Sequence, residues 1–71
     1  MRRILVDFNT REFVRPGVES IAVLNRLNPE LGDTWSPVVG EVVLAFDSEG
    51  EEHPGTIAKG SMFDWVIEMS E

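Results

Sequence analysis

His53 is the chain's one histidine, and four carboxylates, Asp47, Glu49, Glu51 and Glu52, precede it within six residues. An imidazole beside carboxylates can serve as a general base, provided a nucleophile and an orienting group stand within hydrogen-bond reach. Ser61 and Asp64 follow in sequence, but no serine here sits in a nucleophile-elbow or comparable motif. The same acids could ligate a divalent cation. A calcium loop, however, sets oxygen ligands at fixed steps and adds a distant bidentate glutamate, and that pattern is absent. The expectation is therefore no catalysis, no metal and no cofactor. Asp47, Glu49, Glu51 and Glu52 form a solvated acidic turn, available as a surface for a basic partner.

Large apolar groups outside the strand-like runs are the second candidates. Phe13, Trp35 and Leu31 fall in connections, where such side chains either line a groove for a peptide or close the ends of a small β domain. Closure is favoured, because 71 residues must use most of their bulk for packing. Phe13 and Trp35 stand with the four acids as candidate binding residues. Arg2, Arg3, Arg11 and Arg15 could gather at one end to contact an anion or RNA, or could pair with Glu12, Glu19 and the acidic turn.

Composition narrows the partners. The net charge is −7; residues 1–35 hold five arginines against five acids, whereas residues 36–71 hold one lysine against eight. An acidic surface repels phosphate backbones, so nucleic acid is disfavoured. No apolar run reaches the roughly 20 residues that a membrane span needs, and Asp7 and Asn9 end the apolar start too early for a signal peptide. A cytoplasmic location is expected. The absence of cysteine removes disulfides, thiolate zinc sites and thiol nucleophiles together.

The dominant hydrophobic period is two, the mark of strands with one buried face. Residues 2–9 put Ile4, Val6 and Phe8 on one side, with Leu5 outward. Residues 18–25 carry Val18, Ile21, Val23 and Leu24. In residues 41–47 the alternation is taken as Val42, Leu44 and Phe46 inward. Asp47-Ser48-Glu49-Gly50 then turns the chain, and it returns through 51–59 with Gly55 and Ile57 inward. Pro54 points to a ragged start or an edge there. Residues 62–69 set Phe63, Trp65, Ile67 and Met69 inward and Val66 outward. Asn28-Pro29-Glu30-Leu31-Gly32 has the cap, first-position proline and terminal glycine of a single helical turn. Phe13-Val14 could be a further short strand.

The stretch from Pro37-Val38-Val39-Gly40 through Glu41–Gly50, followed by Gly55-Thr56-Ile57, resembles the central hairpin of SH3-like barrels of the Tudor and KOW type, over about a third of the chain. The resemblance implies an all-β domain: a five-stranded antiparallel, partly open SH3-like barrel with one helical turn near 28–32. An OB-type barrel and a flat antiparallel sheet that dimerises through its apolar face are the alternatives. No ligand transfers with the resemblance, because a Tudor cage usually needs tyrosine and the chain has none, and KOW modules are generally basic. The function expected is a non-enzymatic protein–protein interaction module that binds a protein partner or itself as a homodimer. The alternative is a nucleic-acid or ribosome-associated barrel that uses the arginine-bearing half.

Overall fold

The structure, a computed structural model, describes residues 1–69. Six strands form in chain order: β1 (Arg2–Leu5), β2 (Arg11–Glu12), β3 (Glu19–Ala22), β4 (Val42–Phe46), β5 (Glu52–Lys59) and β6 (Trp65–Met69). They make one sheet in the order β1-β4-β5-β6-β3-β2. The fold is all-β, as expected. It departs from the five-stranded antiparallel SH3-like arrangement in two respects: there is a sixth strand, and β1 runs parallel to β4. The sixth strand is β2. It lies two residues before the expected Phe13-Val14 position, paired with β3 through Arg11↔Ile21 and Glu12↔Ser20.

The topology forces the sheet to bend. β1 and β2 are its two edges, yet residues 6–10 join them directly. Six flat strands at the usual spacing would hold those edges about 24 Å apart. The link reaches at most about 21 Å when fully extended, and it contains a turn, with the Thr10 amide donating to the Asp7 carbonyl at 2.9 Å. The edges are drawn together without pairing, so the sheet is curved but open.

The concave face carries the main core: Ile4, Val6, Ile21, Val23, Val43, Ala45, Ile57 and Ile67, closed over by Trp35. Phe8, Leu31, Trp65 and Met69 pack against its margin. Ile4, Val6 and Ile57 therefore point as the alternation predicted. β4 does not. Val43 and Ala45 are fully buried, whereas Val42 is 53% exposed. All five residues of β4 are apolar, so its own pattern carries no phase, and the partner strand sets it. Val43 lies opposite Gly55. A Cβ on that glycine would stand 2.6 Å from Ile67 Cγ2 and 2.7 Å from the Glu68 carbonyl oxygen. Only glycine admits this close approach of β5 to β6.

Three other expectations are corrected. Val66 is fully buried on the opposite side, flanked in register by the small residues Ala22 and Ala58. The helical turn is a 3-10 turn at Asn25–Leu27, not near 28–32. Asn28 ends it instead of starting it. Its amide donates to the Leu24 and Asn25 carbonyls, both at 3.1 Å, and Nδ2 donates to Leu24 O at 2.9 Å and Leu5 O at 3.1 Å. Pro29 then follows a helix end, a place proline favours. Finally, β5 is an interior strand. The side of Pro54 that lacks an amide hydrogen faces β6, beyond the last described pair, Gly55↔Met69. Pro54 keeps its place opposite Leu44 in an unbroken β4–β5 ladder, and no edge is needed.

Candidate functional site

Two short polar turns build a sizeable cleft. In the β4–β5 turn, Asp47 Oδ1 accepts the amides of Glu49 at 3.0 Å and Glu51 at 2.8 Å. Gly50 closes that turn at φ +93°, a backbone conformation a side chain would strain. In the β1–β2 link, Asp7 does the equivalent work: Oδ1 accepts the Asn9 amide at 3.0 Å and Oδ2 the Thr10 hydroxyl at 3.2 Å. Both are aspartate turns, in which the side chain substitutes for a backbone acceptor. With Arg26 and Leu27 of the 3-10 turn they enclose a cleft of about 500 Å³. Leu5, Val6, Phe8 and Leu27 supply its apolar lining; Asp7, Asp47, Glu49 and Glu51 supply its acids.

The cleft's cations do not balance those acids. Arg11 is drawn off to pair with Glu19, and its Nε donates to the Phe8 carbonyl at 2.9 Å. Arg26 has no carboxylate partner among the described residues. A smaller hollow of about 160 Å³ adjoins the cleft, sharing Phe8, Arg11 and Glu51. His53 lines it, with Nε2 2.9 Å from Glu51 Oε2 and its ring edge-on to Phe8 at 5.4 Å between centroids. Ser61 is remote from His53. It lies beyond the far end of β5, bonded to Glu12.

The candidate binding residues thus separate. Asp47, Glu49 and Glu51 share the cleft. Glu52 turns to the other face of the sheet, where its Oε2 meets Arg3 at 2.6 Å. Phe13 stands 83% exposed past β2 and does not reach the cleft. Trp35 is buried in the core, with the Arg2 guanidinium 4.7 Å from the centre of its ring. The arginines do not gather: Arg3, Arg11 and Arg15 pair separately with Glu52, Glu19 and Glu68. Sequence reasoning did not find Asp7, Arg26 or Leu27 as cleft residues. The Asp7-x-Asn9-Thr10 spacing of an aspartate turn was the available signal for the first.

A second feature escaped the sequence altogether. Glu12 is 4% exposed, and its Oε1 accepts the Ser61 amide and the Ser61 hydroxyl, each at 2.6 Å, and the Met62 amide. Oε2 has no partner. Burial pushes this carboxyl up, but the Ser61 hydroxyl and the amides of Met62, Ser61 and Phe63 outweigh it and hold the group below the usual carboxylate range. The carboxylate is a clasp that fixes the β5–β6 turn to β2.

No protein-family model matches the chain, and neither a curated protein nor a solved structure is significantly similar to it. Among the described residues no cluster of three or more potential metal ligands occurs, and no helix is long and apolar enough to cross a membrane.

Proposed function

We propose that this chain is a non-enzymatic protein-binding module whose cleft receives a basic segment of its partner. One observation carries the reading. Four acids and an apolar lining converge on a single cleft of about 500 Å³, within the size range of ligand sites. A lysine or arginine suits both features, since its stem packs on apolar surface while its head group meets carboxylates. The nucleic-acid alternative gains little support, because three of the five arginines in residues 1–35 are already paired with glutamates and a fourth, Arg2, lies over Trp35, leaving Arg26 alone without such a contact among the described residues.

Titration of the isotope-labelled chain with a lysine-rich peptide, read by amide chemical shifts, tests the proposal. The peptide should perturb Phe8, Leu27 and Glu49. Its affinity should fall about tenfold on raising salt from roughly 0.05 to 0.5 M, as expected for a screened, partly exposed contact. The Glu49→Gln/Glu51→Gln double variant should lose a similar factor. No perturbation of these amides at millimolar peptide overturns the reading. Salt-sensitive binding of an RNA oligonucleotide around Arg26 would overturn it in favour of the alternative.

A further inference from the structure

The outer face of β1, β4 and β5 lies on the side opposite the main core, with Arg3, Val42, Glu52 and Pro54 exposed and Leu5, Leu44, Phe46 and Thr56 half-buried. Register places Val42 beside Thr56, Arg3 beside Leu44 and Pro54, and Leu5 beside Phe46 and Glu52, all directed to this side. A solvated sheet face normally alternates to polar residues. Here the strand positions read Val42, Leu44 and Phe46 on β4, then Pro54 and Thr56 on β5. The two charges, Arg3 and Glu52, are paired with each other at 2.6 Å, and the Arg3 guanidinium lies over Phe46 at 4.7 Å. At the end of β4 the turn closed by the Glu41 amide on the Val38 carbonyl, at 3.0 Å, presents two more valines. Val38, Val39 and Val42 are 62%, 61% and 53% exposed, the densest run of exposed apolar groups in the described chain.

We infer that this face packs against the same face of a second copy of the chain. Charge selects that occupant. The chain as a whole carries −7, so most pairings of two copies bring acid against acid. This face is neutral, and its one ion pair is self-complementary. A two-fold axis running along β4 lays β1 of one copy over β5 of the other, so Arg3 of each copy lies opposite the partner's Pro54, two residues along β5 from the partner's Glu52. The same operation sets Val42 and Leu44 near their own counterparts. That is an isologous contact, the form in which most soluble dimers close, and aligned sheet-on-sheet packing is its natural geometry. Edge-to-edge pairing through β1 is the poorer route. The β1 edge carries Arg2 and Arg3, and a charged edge deters strand addition. The inference stands independently of the cleft, which borders this surface at Leu5.

Sedimentation equilibrium on the full chain tests it, across about 5 to 500 μM. The expected mass rises with concentration from the monomer's 8.0 kDa towards twice that value. Val42→Lys, at an exposed position that does not threaten folding, should weaken association at least tenfold, with unchanged circular dichroism and melting temperature. Arg3→Glu alone should weaken it, and Arg3→Glu combined with Glu52→Arg should restore it. Met62→Lys, on a distant turn, should leave association intact. A wild-type chain that stays at monomer mass throughout overturns the inference. So does a dimer that persists unchanged in Val42→Lys.

Discussion

Glu12 holds a charge where water barely reaches, an arrangement that survives only if its donors compensate for lost hydration. They do so from 49 residues away, through Ser61. Nothing in the local sequence announces the pairing; a glutamate two residues before a valine and a Gly60-Ser61 turn look like ordinary surface features. Long-range polar contacts have no periodicity to betray them. Because the folded pKa is depressed, the linkage has a definite sign. The stabilisation is fully present above the unfolded value of 4.5 and is lost as pH falls through the lower folded value. Glu12→Gln should therefore lower stability by about 1–3 kcal/mol at pH 7, since buried amides lose a charged acceptor. The gap between variant and wild type should narrow as pH falls below 4.5 and through the lower folded pKa. Urea denaturation at pH 7 and in steps below pH 4.5 measures both. A constant gap would mean that a pH-independent change, the amide NH2 put in place of a carboxylate oxygen, and not the charge, is responsible.

At the scale of the element, β4 shows how far hydrophobic pattern reaches. Its existence, its hairpin with β5 and the Asp47–Gly50 turn were all legible, because turn chemistry and a run of β-branched residues are local signals. Its facing was not, because Val42-Val43-Leu44-Ala45-Phe46 is apolar on both sides. The better guide lay across the hairpin. Gly55 and Ile57 were read correctly as inward, and pairing them with Val43 and Glu41 fixes the phase. The bulkier members, Leu44 and Phe46, were left to the outer face, contrary to the habit of assigning large side chains inward. Truncation separates the two registers. Val43→Ala should destabilise by about 2 kcal/mol, the order expected for buried methyl groups with a residual cavity. Val42→Ala should cost no more than about 0.5 kcal/mol in the monomer. The reverse order in a thermal or chemical melt would restore the sequence-derived facing.

For the whole molecule, class was legible and closure was not. Period-two alternation and the lack of any long helical stretch sufficed for an all-β domain. The parallel placement of β1 beside β4, and the five-residue crossing to the opposite edge, depend on which strands meet, and alternation says nothing about that. The acidic hairpin was legible as a candidate surface, but the cleft it completes needs Asp7 and Leu27, brought in by that same crossing. One property of the whole chain can still be decided by magnitude. The ion pairs Arg3–Glu52, Arg11–Glu19 and Arg15–Glu68 all have a substantially exposed arginine and contribute about 0–1 kcal/mol each. Against them stands the mutual repulsion of a −7 chain with a radius of gyration of 10.9 Å. At 10 mM salt the screening length is about 30 Å, which matches the longest dimension of 32 Å, so each acid feels all the others. At 1 M it is about 3 Å, and that repulsion vanishes while contact pairs are merely weakened. Repulsion therefore wins, and the melting temperature of the dilute monomer should rise with sodium chloride by about 5 °C, the shift that roughly 1 kcal/mol produces in a domain this small. Asp33→Lys, an exposed position remote from the dimer face, should raise the low-salt melting temperature and have no effect at 1 M. A melting temperature that falls with salt would show that the three surface pairs outweigh the excess of acid.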